Sequence, residues 1–444
     1  MINNVSINYT EKIIIKLNKS KNSLVEESIS GMGSNHLETS IKFLQASFGE
    51  MEFKPLFISN LIHEELETKM TLKSKDTPEI DLDSYYSVNV PKSLDSKELV
   101  KEFSKLDIVD SAYIAGPPCP PPSVNPSDDP YSSYQGYLNS APDGIDAKYI
   151  WQFEGGDGLG ITFVDLEQGW NFQHEDLQHK SIQLISGLNF SYHTHGTSVL
   201  GELVSEDNMI GTIGIVPNAT AKAVSQWQSS DEYDTARAIY DAVNTLQYGD
   251  VLLLEAQTIK SHHSGYLPVE VEEGVFVAIQ AATSKGIVVI EAAGNGSNDL
   301  DHYRDENGKY TLNRNSPDFK DSGAIMVAAA TATSPHRRIL NSQWGSNCGT
   351  RIDCYGWGER VTTTSGNIGE NRYTYEFGGT SSASPIIAGA AIAVQGLRKA
   401  KYGQAYNPYI LRDILKAANL NTPSVPGDKI GYMPNLKAIA DFVL

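Results

Sequence analysis

Four near-continuous apolar runs punctuate the C-terminal two thirds of the chain: GITFVD (160–165), DVLLLEA (250–256), GIVVIEAAG (286–294) and AIMVAAA (324–330). Runs of this kind suit strands covered on both faces, as in a parallel sheet. Between them, YDTARAIYDAVNTLQ (233–247) and VEEGVFVAIQAATSKG (271–286) space their apolar residues at the helical period. Strands alternating with helices predict an α/β domain, a mainly parallel central sheet flanked by helices. In such sheets sites form beyond the carboxyl ends of the strands. The polar segment 297–318 predicts a surface loop, and no internal repeat is present.

The N-terminal part reads differently. KIIIKL (12–17), YYSVNV (85–90) and VDSAYI (109–114) predict strands, and HLETSIKFLQASF (36–48) has helical spacing. Asp95, just before SKELVKEFSKL, is a good helix cap. A small α+β unit follows from this order. It ends at AGPPCPPPSVNPSDDP (115–130), whose prolines exclude helix and central strand and behave as an extended spacer. The predicted organisation is a first domain over 1–115, a linker over 116–135 and a larger domain over 136–444.

Charge narrows the partners. The 444 residues carry a formal net charge of −19, which opposes binding to nucleic acid or to an anionic membrane surface. No apolar stretch approaches the roughly 20 residues of a membrane span. The first residues lack the apolar core of about 7–15 residues of a secretory leader. The expectation is a cytoplasmic protein, one exported by another route, or one whose leader is missing. Three cysteines leave a Cys348–Cys354 disulfide and free thiols equally open.

Candidate chemistry gathers at the predicted strand ends. Asp165 closes the first apolar run, His195 enters a helix of small residues in SYHTHGTSVLGELV, and Asn295 follows the strand in EAAGNGS. Each alone reads as a turn or structural residue. GGTSSASPIIAGAAIAV, from Gly378, adds three serines and Pro385 at a helix start. Acyl transfer needs a hydroxyl nucleophile, an imidazole base, a carboxylate to orient the imidazole and a donor for the oxyanion. Asp165, His195, Asn295 and a serine near 381 supply that inventory. The pairs His193–His195 and His262–His263 lack supporting metal-ligand spacing and read as solvated.

The segments GITFVD, HTHGTSVLG, EAAGN and GTSSASPIIAGA together resemble the signature blocks of the subtilisin-like serine proteases, the subtilases. The resemblance spans roughly 136–444 and implies a subtilisin-like domain. It makes Asp165 the orienting aspartate, His195 the base, Asn295 the oxyanion donor and Ser381 the nucleophile of a serine endopeptidase. Leu200 replaces the alanine usual in the histidine block, and Ser382 stands where many members have methionine. The first domain resembles the inhibitory propeptide that precedes many subtilase domains. It would make this chain a zymogen inhibited by its own N-terminal domain and self-processed near the prolines.

Two further implications belong to the resemblance. Glu255, Ala256, Gln257 and Gly294 fall along the substrate cleft. Gln257 stands where members usually have glycine, so a specificity other than broad preference for large apolar residues is expected. Asp176, Asn208, Ile210 and Thr212 match a structural calcium site, with oxygen donors of the kind calcium takes; no cofactor is implied for the chemistry. A protease dedicated to one intracellular partner peptide and a non-catalytic peptide-binding descendant are the alternatives.

Overall fold

The apolar runs become strands because each buries both faces between helices. The computed structural model describes residues 11–18, 36–49, 51–57, 82–91, 93–115, 124–261, 263–342 and 344–444; Cys119 and His262 lie outside them. Two compact units divide the chain, Met1–Pro122 and Ser123–Leu444.

The first unit contains β1 (Lys12–Leu17), α1 (His36–Phe48), β2 (Phe53–Pro55), β3 (Tyr85–Asn89), α2 (Ser96–Ser104) and β4 (Val109–Ile114). Its antiparallel sheet has the order β2-β3-β1-β4. Asp95 caps α2, its side chain accepting from the N–H groups of Lys97 and Glu98. Ile13, Ile15 and Leu17 alternate into a core shared with Leu99 and Phe103, and Phe103 packs against Phe48 and Phe53.

The second unit carries β5 (Thr162–Glu167), β6 (Gln183–Leu184), α3 (His193–Val204), β7 (Thr220–Ser225), α4 (Thr235–Val243), β8 (Val251–Leu254), β9 (Gln257–Thr258) and β10 (Leu267–Pro268). It continues with α5 (Glu273–Ser284), β11 (Val288–Ala292), β12 (Ile325–Ala330), β13 (Cys354–Trp357), β14 (Val361–Ser365), β15 (Arg372–Phe377) and α6 (Thr380–Tyr402). The last elements are α7 (Pro408–Leu415), β16 (Thr422–Pro423), β17 (Tyr432–Met433) and α8 (Leu436–Val443). Nine strands form one sheet in the order β16-β17-β13-β12-β11-β8-β5-β7-β6. Its pairs are parallel except β16–β17. One core gathers α3, α6 and α8 on one side of the sheet; a second gathers α4 and α5. No described helix is long and apolar enough to cross a membrane.

Three differences from the sequence expectations have physical causes. Residues 124–135, expected in the linker, are built into the second unit: Gln135 is fully buried and bonds Ile213 through both ends of its amide. The polar segment 297–318 is anchored, since Leu300, Tyr303 and Leu312 enter the core. Strand β5 runs two residues beyond Asp165, which moves the strand end that matters for the site. Both Cys348 and Cys354 are buried free thiols.

Candidate active site

Neighbouring strands β11, β8 and β5 end on the same side, as parallel strands must, and the candidate residues follow from those ends. Glu167 is the last residue of β5. Its carboxylate Oε1 lies 2.7 Å from Nδ1 of His195, and Glu167 is itself almost fully buried. Burial alone would lower the His195 pKa; the charge and hydrogen bond of Glu167 outweigh it and raise it. Phe377 of β15 sits edge-on to the imidazole, ring centroids 5.5 Å apart.

Asp165, the aspartate expected to orient His195, is not brought to it. Successive strand residues alternate faces, so Asp165 and Glu167 share a face but lie about 6.7 Å apart along β5. Asp165 is fully buried and accepts the Trp170 indole N–H at 2.7 Å, with its other oxygen unpartnered among the described residues. Burial, and then the Glu167 charge, push its carboxyl well above the usual carboxylate range. The missed signal was the strand end itself: the strand continues through Leu166 and Glu167 before the bend at Gln168.

His195 is held by its helix. Thr197 donates to the His193 carbonyl and accepts from the Asn171 N–H. Thr363 and Thr364 of β14 donate to the carbonyls of Ser198 and Thr197. Gly196 lets α3 approach the loop before it: a Cβ there would stand 2.4 Å from the Gly169 carbonyl oxygen.

The three serines are sorted by their partners. Ser382 donates to the carbonyls of Trp357 and Gly379, and Ser384 to that of Thr380; both are fully buried. Ser381 is half-buried, and its hydroxyl has no partner among the described residues. It is the second residue of α6, where N–H groups lack intrahelical acceptors and negative charge is favoured. Pro385 was expected in the first turn; it is the sixth residue of α6. Lacking an N–H, it cannot donate to the Ser381 carbonyl four residues back.

Asn295 joins the end of β11 to the start of α6. Its Oδ1 accepts from the N–H of Thr380 at 2.9 Å and from its hydroxyl at 3.3 Å. Gly379 precedes Thr380 at φ 90°, a left-handed value that favours glycine. A Cβ there would meet the Asn295 amide at 3.3 Å. On the other side, Gln257 Oε1 accepts from the Asn295 backbone N–H at 3.0 Å and from Nδ2 at 3.4 Å. Gln257 also lines a cleft of about 230 Å³ with Tyr233, Thr258, Val269 and Glu272. Ala256 and Glu255 are buried rather than cleft-facing. Gly294 stands at φ 89°, where a Cβ would meet Asn347 Nδ2 at 3.1 Å.

Below the Glu167–His195 pair lie three more buried carboxyls that sequence reading did not group: Asp165, Glu202 and Glu255. Both oxygens of Glu202 and of Glu255 lack hydrogen-bond partners among the described residues. Burial pushes Glu202 well above its usual range, and burial followed by the charges of Glu167, Asp165 and Glu202 does the same to Glu255.

The hydrogen bonds of the residues expected to hold calcium decide whether an ion fits there. Asp176 Oδ2 accepts from the Thr212 N–H at 2.9 Å and hydroxyl at 3.2 Å, and Oδ1 accepts from the Asn208 amide at 3.4 Å. Asn208 Oδ1 is taken by the Ile210 N–H at 3.0 Å. The Tyr373 hydroxyl crowds the same place, since a Cβ on Gly211 would stand 2.1 Å from it and 2.3 Å from Asp176 Oδ2. Burial carries Asp176 up to about 7. Donors face the carboxylate where an ion would need acceptors, so this set does not fit calcium. Among the described residues, carboxylate oxygens gather instead at Asp128, Asp129 and Asp207, within 4.8 Å of one another.

A family model described as the subtilase family matches residues 164–431. An intracellular serine protease of Paenibacillus polymyxa is 25% identical over 324 residues, covering 68% of this chain and 88% of that protein. The major intracellular serine protease of Bacillus subtilis (strain 168) is 26% identical over 283 residues, covering 60% and 78%. A solved structure of a protease from Pseudoalteromonas arctica PAMC 21717 superposes with a TM-score of 0.52 at 20% identity. It covers 72% of this chain and all of that one.

Proposed function

The chain belongs to the subtilase family of serine peptidases, and from that premise we propose that it cleaves peptide bonds with Ser381, His195 and Glu167 as its triad. The observation that carries this reading is the 2.7 Å contact of Glu167 Oε1 with His195 Nδ1. A carboxylate there fixes the imidazole tautomer with Nε2 free to act as base, and stabilises the imidazolium that forms. Ser381 then attacks the scissile carbonyl, giving its proton to His195 Nε2. Asn295 Nδ2 and the Ser381 N–H hold the oxyanion. The imidazolium returns the proton to the leaving amine, and water, activated by the same base, hydrolyses the acyl-enzyme.

Subtilases commonly carry structural calcium; here each proton and charge is handled by this chain's own side chains and backbone N–H groups. Relatives named as intracellular proteases support an intracellular setting. The first unit, an independent sheet with its own core, supports the reading of a propeptide that inhibits in cis and is cut in the proline-rich stretch. Purified wild type and Ser381→Ala, compared by intact mass and by hydrolysis of a peptide library, test both points. Processing and hydrolysis in wild type alone are expected. Equal hydrolysis by the two proteins would sink the triad, and equal full-length masses would sink the self-processing.

A further inference from the structure

We propose that Gln257 is a positioning residue that locks the Asn295 amide in the orientation an oxyanion donor needs; this rests on the role given to Asn295 above. A side-chain amide can sit either way round, and only one of the two presents N–H groups to the cleft. Here both ends are tied. Asn295 Oδ1 is held by the N–H and hydroxyl of Thr380 on α6. The opposite end is held by Gln257 Oε1, which takes the Asn295 backbone N–H and one hydrogen of Nδ2. An NH₂ group has two hydrogens. With one on Gln257, the other is left in a fixed direction for the substrate.

Pre-organised donors contribute most because they do not reorient as charge develops. Gln257 is placed for this by the backbone: β9 begins at Gln257, three residues beyond the end of β8, beside the turn that carries Asn295. The glycine usual at this position in the family has no side chain with which to make the clamp. A residue that only narrows the cleft would need bulk; this one uses its oxygen.

Gln257→Met keeps the length and removes the acceptor, while Gln257→Gly removes both. Peptide hydrolysis, inhibition by a peptide aldehyde, whose hemiacetal oxygen mimics the oxyanion, and amide hydrogen exchange at Asn295 are measured on the full chain. Both variants should lose at least tenfold in kcat and in aldehyde affinity. KM for the Gln257→Met variant should stay within twofold, and its Asn295 amide should exchange faster. A Gln257→Met protein with wild-type kcat and wild-type exchange would overturn the proposal, as would a KM effect confined to Gln257→Gly. A wild-type chain that neither cleaves peptides nor binds the aldehyde would instead overturn the assignment of the site. Exchange at Asn295 separates that outcome from a missing clamp.

Discussion

Glu167 Oε1 lies 2.7 Å from His195 Nδ1, and Asp165, two residues earlier on the same face of β5, faces Trp170 instead. The carboxylate partner of the imidazole is therefore a glutamate set at the tip of the strand. Its longer side chain spans a gap that an aspartate one pleat deeper does not reach.

In the proposed mechanism the Glu167–His195 pair sets the acid limb of activity. Glu167 raises the His195 pKa against the effect of burial, so the base becomes protonated, and inactive, at a pH above its ordinary 6.5. The kcat/KM profile of wild type should fall on the acid side with an apparent pKa above 6.5. In Glu167→Gln the residual activity should show that limb displaced to lower pH. A limb that does not move would separate Glu167 from the titration.

Ser382→Ala and Ser384→Ala should remain active. Each removes a buried hydroxyl that donates to a carbonyl, at a cost of about 1–2 kcal/mol in stability. Ser381→Ala should do the opposite, leaving the melting temperature nearly unchanged while abolishing hydrolysis. Urea melts and peptide assays on the three variants distinguish the two patterns.

The unpartnered carboxyls beneath the site predict how stability depends on pH. Burial raises the folded-state pKa values of Glu202 and Glu255. The unfolded chain then holds fewer protons than the folded one above about pH 4.3. Stability from these groups is complete below that pH and is lost as pH rises towards their folded values. Melting temperature should fall between pH 5 and pH 8, and Glu202→Gln should flatten the slope. An identical slope in the variant would show that Glu202 ionises normally.

Arg351 is fully buried and holds Glu270 through two nitrogens, at 2.7 and 2.8 Å, and Asp353 at 3.0 Å. It ties the short helical turn Val269–Val271, ahead of α5, to the segment entering β13. Removing one partner strands the others, so Arg351→Met should destabilise by about 3–5 kcal/mol. Replacing Arg351 and Glu270 together by apolar residues, with Asp353 left to hold Arg314 at 2.7 Å, should cost less than the single change. Chemical denaturation of both proteins decides it.

Much of this architecture was legible in the residues. The four apolar runs are the central strands because nothing but burial on both faces accounts for them, and α2 begins where Asp95 said it would. His195 meets a carboxylate from β5 and Asn295 meets the first residue of α6, contacts that the motifs alone do not spell out. The carboxylate was not legible in the same way. An apolar run shows that a strand exists but marks its end poorly, and VDLEQG offers two acids of the same parity. Which one meets the imidazole depends on where the strand stops and the bend at Gln168 begins. The Gln257–Asn295 contact and the meeting of Asp165, Glu202 and Glu255 were hidden for a different reason: they depend on tertiary contacts between elements far apart in sequence. The calcium motif matched in spacing, yet Thr212 and Asn208 bring donors to Asp176, a change of hydrogen-bond sense that spacing does not reveal.

The most direct test is the rate at which a fluorophosphonate labels Ser381 in wild type, Glu167→Gln and Asp165→Asn. Labelling should slow by about 10³–10⁴-fold in Glu167→Gln and stay within a few-fold of wild type in Asp165→Asn. The amide introduced by Asp165→Asn keeps an acceptor for Trp170 and loses no contact with His195. Fast labelling in Glu167→Gln together with silence in Asp165→Asn would contradict the assignment of Glu167 to the triad.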